Sequence, residues 1–356
     1  MASRKTRSRL RWLLPAGITA LAVGGAVGWP ALSASAEPAL PNVTAQTLVS
    51  RALSSGVDTF SGTVRNTSNL GLPPLPEQAR GTEFASLLSG STTLRVAESG
   101  DHKQRLAVLG SSGEKNIVRN GRDVWTYDSG EREAVHRTLP AKVDDHRTDA
   151  ANQITPDKLA KQALRSLRDD TAITVGRAAE VAGRPAYQLV LHPNSDKSLV
   201  GSVSTYIDAK TWMPLGVQVL PRGSSDPAID SRFTKLSYAK PDASTFEFTP
   251  PAGTDVKQEP VHAWKHPDHA RHQQATGADH EFSWTKVVRV GDVSDAKGKH
   301  AGFVRQLRAM GTKVSGDFGS GTLIRSRLVT VLVLDDGPVY AGAVTPRAVE
   351  AAAADN

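Results

Sequence analysis

The chain has 356 residues, no cysteine, and 43 basic against 36 acidic residues for a formal charge of +7. Stability therefore cannot come from disulfides and must come from a buried core, for which this length is ample. Five of the positive charges are Arg4, Lys5, Arg7, Arg9 and Arg11, so the remainder is only mildly basic. A nucleic-acid partner, which calls for a clustered basic face, is not expected.

Those five charges open a secretory layout. The basic "MASRKTRSRLRW" precedes the uncharged "LLPAGITALAVGGAVGWPAL", and "SASAEP" places Ala34 and Ala36 at the small positions of an A-x-A cleavage site. The expectation is a signal peptide over 1–36, cleavage between Ala36 and Glu37, and an extracytoplasmic mature protein. An uncleaved anchor is the alternative. Pro15, Gly24, Gly25 and Gly28 interrupt the apolar run, which is marginal for the roughly 20 residues a spanning helix needs. No cysteine follows the segment to accept a lipid.

Residues 42–59 read as a helix. Leu48, Val49, Ala52 and Leu53 fall at helical spacing, Thr44 is placed to cap the N-terminus, and Gly56 stops it. A strand "FSGTVRNTSNLGL" comes next. After a Pro-rich loop, Phe84, Leu87 and Leu88 form a short apolar stripe between Gly81 and Gly90. Such a short helix is poorly stable alone and must bury its stripe. It is either a lid over a cavity or a permanent plug.

From Ser91 the pattern becomes a meander. "TTLRVAES", "QRLAVLGS", "EKNIVRN", "RDVWTYD" and "REAVHRTL" are separated by turn signals such as Asn120–Gly121, which favours antiparallel hairpins. Trp125 and Tyr127 then share one face of a strand, with Val124 and Thr126 on the other. The pair either packs that face or lines an apolar cavity. "TPDKLAKQALRSLRDD" reads as a second helix, with Thr155 as cap, Pro156 at the first helical position, and a stripe of Leu159, Ala163, Leu164 and Leu167. Strands resume in "TAITVGRAAEVAG", "PAYQLVLHP", "LVGSVSTYID", "MPLGVQVLP", "SRFTKLSY" and "TFEFTPP".

Residues 257–280 are polar and aperiodic and read as a linker. His262, His266, His269, His272 and His280 crowd this stretch. The first four have spacings that could serve a metal on a helix, but Pro267 interrupts it. A solvated histidine-biased linker is the simpler reading, with weak opportunistic metal binding as the rival. A small module over 281–354 follows, with the strand "WTKVVRVGD", the helix "AGFVRQLRAM", the strands "GTLIRSRLVTVLVLDD" and "PVYAGAV", and a final helix "PRAVEAAAA".

Motifs for catalysis fail. "GSSGEK" lacks the spacing of a phosphate loop and sits at a hairpin turn. "DFGSGT" is not G-x-S-x-G, and its "DFG" has no partner motifs. Neither Asp144–Asp145 nor Asp169–Asp170 forms a hydrolytic carboxylate pair. The expectation is a protein without enzymatic activity or cofactor.

The order of helix, strands, interrupting helix and strands, with "DVWTYD", "VAGRPAYQLVLHP", "VSTYIDAKTWMPLGVQV" and "FEFTPPAGTDV", resembles the LolA-like lipoprotein-carrier superfamily and the MucB/RseB-like stress sensors over residues 44–256. Over those residues the resemblance implies an α+β, mainly β fold, an open, curved antiparallel half-barrel wrapped around helices; the small C-terminal α/β module is read from the residues alone. The resemblance also implies a binding protein peripheral to the membrane. Its partner would be a lipid or acylated protein; Phe84, Leu87, Leu88, Trp125 and Tyr127, from their own positions in the sequence, are the candidate cavity or lid residues. In the alternative, it is a sensor that binds the ectodomain of a membrane anti-sigma factor.

Overall fold

In the computed structural model, the described residues are 38–71, 89–110, 113–139, 155–165, 170–259, 283–292, 308–335 and 337–355. The expected signal peptide, the Phe84–Leu88 segment and the five linker histidines lie outside them.

The chain folds mainly as β-sheet. Helix α1 (Ala45–Leu53) starts as the sequence predicts: the Thr44 hydroxyl accepts a hydrogen bond from the Thr47 N–H at 3.2 Å, which satisfies one of the free donors of the first turn. Strands β1 (Thr59–Asn69), β2 (Ser89–Ser99), β3 (Lys103–Gly110), β4 (Gly113–Asn120), β5 (Asp123–Asp128) and β6 (Glu133–Thr138) form the predicted meander. Helix α2 (Pro156–Arg165) interrupts it. Strands β7 (Thr171–Val175), β8 (Ala179–Val181), β9 (Arg184–Pro193), β10 (Val200–Asp208), β11 (Pro214–Pro221) and β12 (Ile229–Ser237) follow.

Together with β13 (Asp255–Gln258), these strands make a thirteen-stranded open sheet. Its order is β13-β6-β5-β4-β3-β2-β1-β12-β11-β10-β9-β7, with β8 paired to β9. Strand β1 is the hub. It pairs with β2 on one side and, from far along the chain, with β12 on the other. All pairings in this sheet are antiparallel except β13 with β6. The structure differs from the sequence reading at three places in this sheet, the first being "TAITVGRAAEVAG", which divides into β7 and β8. "TFEFTPP" is not a strand: Ala243–Phe246 forms a 3-10 turn that buries Phe246. Lys257 and Gln258, read as the start of the linker, are instead the end of β13.

Pairing register sorts the side chains. Val64, Leu94 and Val108 are successive partners, as are Val96, Leu106, Ile117, Thr126 and Val135. All share one face, because directly paired residues point to the same side. Glu98 lies on that face too, and Lys158 of α2 donates to its Oε1 at 3.0 Å. This face therefore carries the helices. Burial pushes the Glu98 carboxyl up, with Lys158 opposing. Helices α1 and α2 cover the β9–β12 half, where Leu48, Ala52, Ala160 and Leu164 pack with Leu189, Leu191, Val203, Ile207 and Val217 in one core. A second core joins Phe60, Val64, Leu94, Val96 and Leu106 to Met213, Leu215 and Phe233. At its centre Gly62 is required: a Cβ there would stand 2.7 Å from the Lys235 carbonyl oxygen and 2.8 Å from the Phe233 ring.

The C-terminal segment forms its own five-stranded antiparallel sheet in the order β14-β18-β17-β16-β15. Its strands are β14 (Val287–Asp292), β15 (Thr312–Gly316), β16 (Gly319–Arg325), β17 (Thr330–Leu334) and β18 (Pro338–Gly342). Helix α3 (Pro346–Ala354) packs Val349 and Ala353 onto Leu332 and Tyr340. Strand β15 is an addition to the sequence reading. "DFG" is the hairpin turn between β15 and β16, with Gly319 at φ +93°.

Candidate functional site

Three regions gather side chains that could serve a ligand or partner. The first contains Trp125 and Tyr127. Both are half-buried on the same face of β5. The Trp125 ring stacks on His136 at 4.3 Å between centroids, and Phe248 lies 5.5 Å from both Trp125 and Tyr127. His136 is fixed by contacts of 3.0 Å with Asp123 Oδ1 and 3.0 Å with Gln258 Oε1. The register sets this face opposite the helices: Trp125 pairs with Val118 and His136, whereas Thr126 pairs with Ile117 and Val135. Arg105, which shares the Trp125 face, donates to the Thr245 carbonyl at 3.0 Å. The 3-10 turn and the chain after it thus lie over the aromatic pair.

The second region is at one rim of the large sheet, in the motif "YIDAKTWMPL". Asp208 ends β10 and is almost fully buried. Its Oδ1 accepts the N–H groups of Lys210 and Thr211, each at 2.8 Å, which is a side chain closing its own turn. Its Oδ2 accepts from Arg184 Nε. Burial works to raise the Asp208 carboxyl. The Arg184 hydrogen bond and the two backbone N–H groups outweigh it and hold the group below the usual aspartate range. Arg184 is correspondingly raised by its bond to Asp208. Its guanidinium lies over the Tyr238 ring, 4.6 Å from the centroid, and the Tyr238 hydroxyl meets Thr211 Oγ1 at 2.9 Å. Burial raises the Tyr238 phenol. Trp212 takes φ +62° to complete the turn and stacks on Tyr187 at 5.8 Å, with Arg51 of α1 over its ring at 5.3 Å. Outside this ion pair is a cleft of about 440 Å³ lined by Val57, Asp58, Thr59, Arg184, Lys210, Thr211 and Tyr238.

The third region is the seam between the two sheets. Arg327 spreads its guanidinium over four acceptors of the large sheet's loops. These are the Asn69 carbonyl at 3.0 Å, the Pro227 carbonyl at 3.4 Å, Ser224 Oγ at 2.9 Å and the Asp226 carbonyl at 2.5 Å. The Trp284 indole N–H donates to Thr171 Oγ1 at 2.7 Å, and Trp284 and Leu328 join the core under α1. Backbone bonds Leu199 N–H to Ala343 O and Thr345 N–H to Lys197 O, both 2.8 Å, complete the seam.

Sequence reasoning quoted the stretches that hold Asp208 and Arg184 without linking the two, and did not single out Tyr238 or Arg327. Each comes from a strand or loop far along the chain, and no spacing marks it. Among the described residues no cluster of His, Asp or Glu could hold a metal, and no helix is long and apolar enough to cross a membrane.

The architecture is an open thirteen-stranded sheet with a second, five-stranded sheet joined to it along the Arg327 and Trp284 seam. No family model matches the chain, and no curated protein does. Solved structures do. A complex of MucA and MucB from Pseudomonas aeruginosa matches at 14% identity and a TM-score of 0.43, over 87% of this chain and 96% of that one. A LolA-superfamily protein from Nitrosomonas europaea matches at 12% identity and a TM-score of 0.23, over 58% of this chain and 99% of that one. An uncharacterized conserved protein from Thermus thermophilus matches at 13% identity and a TM-score of 0.34, over 60% of this chain and 99% of that one. The likeness is one of fold.

Proposed function

We propose that the protein is an exported, non-enzymatic binding protein that shields an acyl chain or lipid at the outer face of the cytoplasmic membrane. The observation that carries this reading is the division of the helix-bearing face. Over β9–β12 the described helices seal it. Over β3–β6 Ile117, Thr126 and Val135 form a paired row, with Val108 and Val124 in the rows on either side beside Lys115, Arg119 and Arg137; these five residues are only partly buried, while Leu94 and Leu106 beside them are 4% and 3% exposed. A lipid tail laid along that row gains about 0.8 kcal/mol per buried CH₂. In this reading Val124 and Thr126 face the ligand and Trp125 and Tyr127 brace the sheet from behind. Phe84, Leu87 and Leu88 are proposed as the covering segment. Organic extraction of the purified protein followed by mass spectrometry tests it: a stoichiometric lipid is expected, and a protein that emerges empty and takes up no fluorescent fatty acid would refute it.

The two-sheet layout favours a second reading, a regulator of the MucB/RseB type that binds an anti-sigma factor ectodomain, since the sequence resemblance extends to sensors with a second module. The Arg327 and Trp284 seam supports it by giving the second sheet a fixed position. Capture of such an ectodomain by a lipid-free protein would favour this reading over carriage.

A further inference from the structure

The cleft beside Asp208 has a composition that the acyl-binding row does not explain. Four separate segments converge on it: the turn before β1, the start of β9, the β10–β11 turn and the chain after β12. They bring two cations, Arg184 and Lys210, to one concavity. Arg184 is pre-positioned, because its Nε–H is held by the buried Asp208 and its plane is laid on Tyr238. No second carboxylate among the described residues pairs with it. Lys210 is held by its main chain, through its N–H bond to Asp208 Oδ1 at 2.8 Å, while its side chain is exposed and has no ion-pair partner among the described residues. Asp208 itself is used by the turn, by Arg184 and by the Tyr238 hydroxyl. Asp58 is the one carboxylate lining the cleft, and its Oδ1 accepts from Thr59 Oγ1 at 2.9 Å. Val57 and the Tyr238 ring supply the apolar wall.

A planar donor fork beside an exposed ammonium is a pairing that recognises a tetrahedral oxyanion. The volume, about 440 Å³, falls within the usual range of small-ligand sites and exceeds what one bare anion fills. We propose that the rim cleft binds a phosphate ester, with Arg184 and Lys210 on the phosphate and Val57 and Tyr238 against its small organic part. The ester is either a soluble one or the headgroup of a phospholipid. The site stands apart from acyl carriage, so an empty lipid extract leaves it standing.

The test titrates the purified protein calorimetrically with glycerol 3-phosphate, and in parallel measures its flotation with vesicles of phosphatidylglycerol or of phosphatidylcholine. Lys210→Ala, whose side chain supports nothing in the fold, should weaken binding about tenfold, the scale of one charge-assisted contact. Asp58→Asn removes the opposing charge and should tighten it. Binding of the soluble ester with both responses supports a soluble ligand. Lys210-dependent flotation on phosphatidylglycerol alone supports a lipid headgroup. The proposal is overturned if neither binds, or if binding is indifferent to Lys210→Ala while the variant keeps the wild-type melting temperature.

Discussion

Replacing Asp208 by alanine should be among the most damaging single changes in the large sheet. The side chain is 1% exposed and accepts four hydrogen bonds, two from its own turn, one from Arg184 and a longer one of 3.4 Å from the Tyr238 hydroxyl. Removing one partner of such a pair costs about 3–5 kcal/mol when the other is left buried and uncompensated. Arg184 keeps 26% side-chain exposure, so water can recover part of that loss, and the lower end, about 3 kcal/mol, is expected. The same residue predicts a pH dependence. Its folded-state pKa is depressed, so its contribution is present above the unfolded value of about 3.9 and is lost as pH falls through the folded value. Urea unfolding of wild type and Asp208→Ala at neutral and acid pH measures both. The difference should be large at pH 7 and should shrink below about pH 4. A loss under about 1 kcal/mol at neutral pH, the scale of a surface pair, would refute the assignment of Asp208 as the buried anchor of this rim.

Trp125→Ala should destabilise by about 2–3 kcal/mol, below the range for a fully buried tryptophan, because the ring is half-buried between His136 and Phe248; thermal melting checks it. Arg327→Ala should loosen the second sheet, seen as faster limited proteolysis near residues 283–292, while the far-UV circular dichroism of the large sheet persists. Gly62→Ala should cost about 1–3 kcal/mol, an overpacking effect, since its Cβ meets a carbonyl and an aromatic ring that cannot both retreat; chemical denaturation measures it. Expression in an export-competent host should yield a mature chain beginning at Glu37, read by N-terminal sequencing; retention of Met1 in a membrane fraction would favour the anchor.

Local signals carried much of the fold. Thr44 capped α1, and the turn dipeptides delimited β3 to β6 to within a residue, because hairpins depend on neighbours in sequence. Long-range pairing was not legible. Nothing in "TFSGTVRNTSN" announces that β1 joins β12, which begins 160 residues later in the chain, and β13 pairs in parallel at an edge where four residues carry little pattern. "TFEFTPP" alternates like a strand, yet Phe246 is drawn into the core by a 3-10 turn, so tertiary burial overrode the period-two pattern. The rim cleft was hidden for the same reason. Its motif marks Asp208, but Arg184 and Tyr238 reach it only once β9 and β12 have found their neighbours.

The two faces of β5 show what alternation decides. A shift of one residue in register would exchange Trp125 and Tyr127 for Val124 and Thr126 on the helix-bearing side. Two contacts from outside the meander oppose that slip. Gln258 of β13 holds His136 under the Trp125 ring, and Arg105 holds the 3-10 turn on the same side. The bulky aromatic residues are thereby kept behind the sheet, and the small β-branched ones line its other face. A row of valine, isoleucine and threonine leaves room above it where a tryptophan and a tyrosine would fill it. The acyl-binding reading therefore makes an asymmetric demand. Val124→Trp or Thr126→Trp should block uptake of a fluorescent fatty acid in a folded protein, while Tyr127→Phe should leave uptake unchanged. If the tryptophan variants fold and still take up the probe at the wild-type level, the row is not the ligand surface and carriage has lost the observation on which it rests.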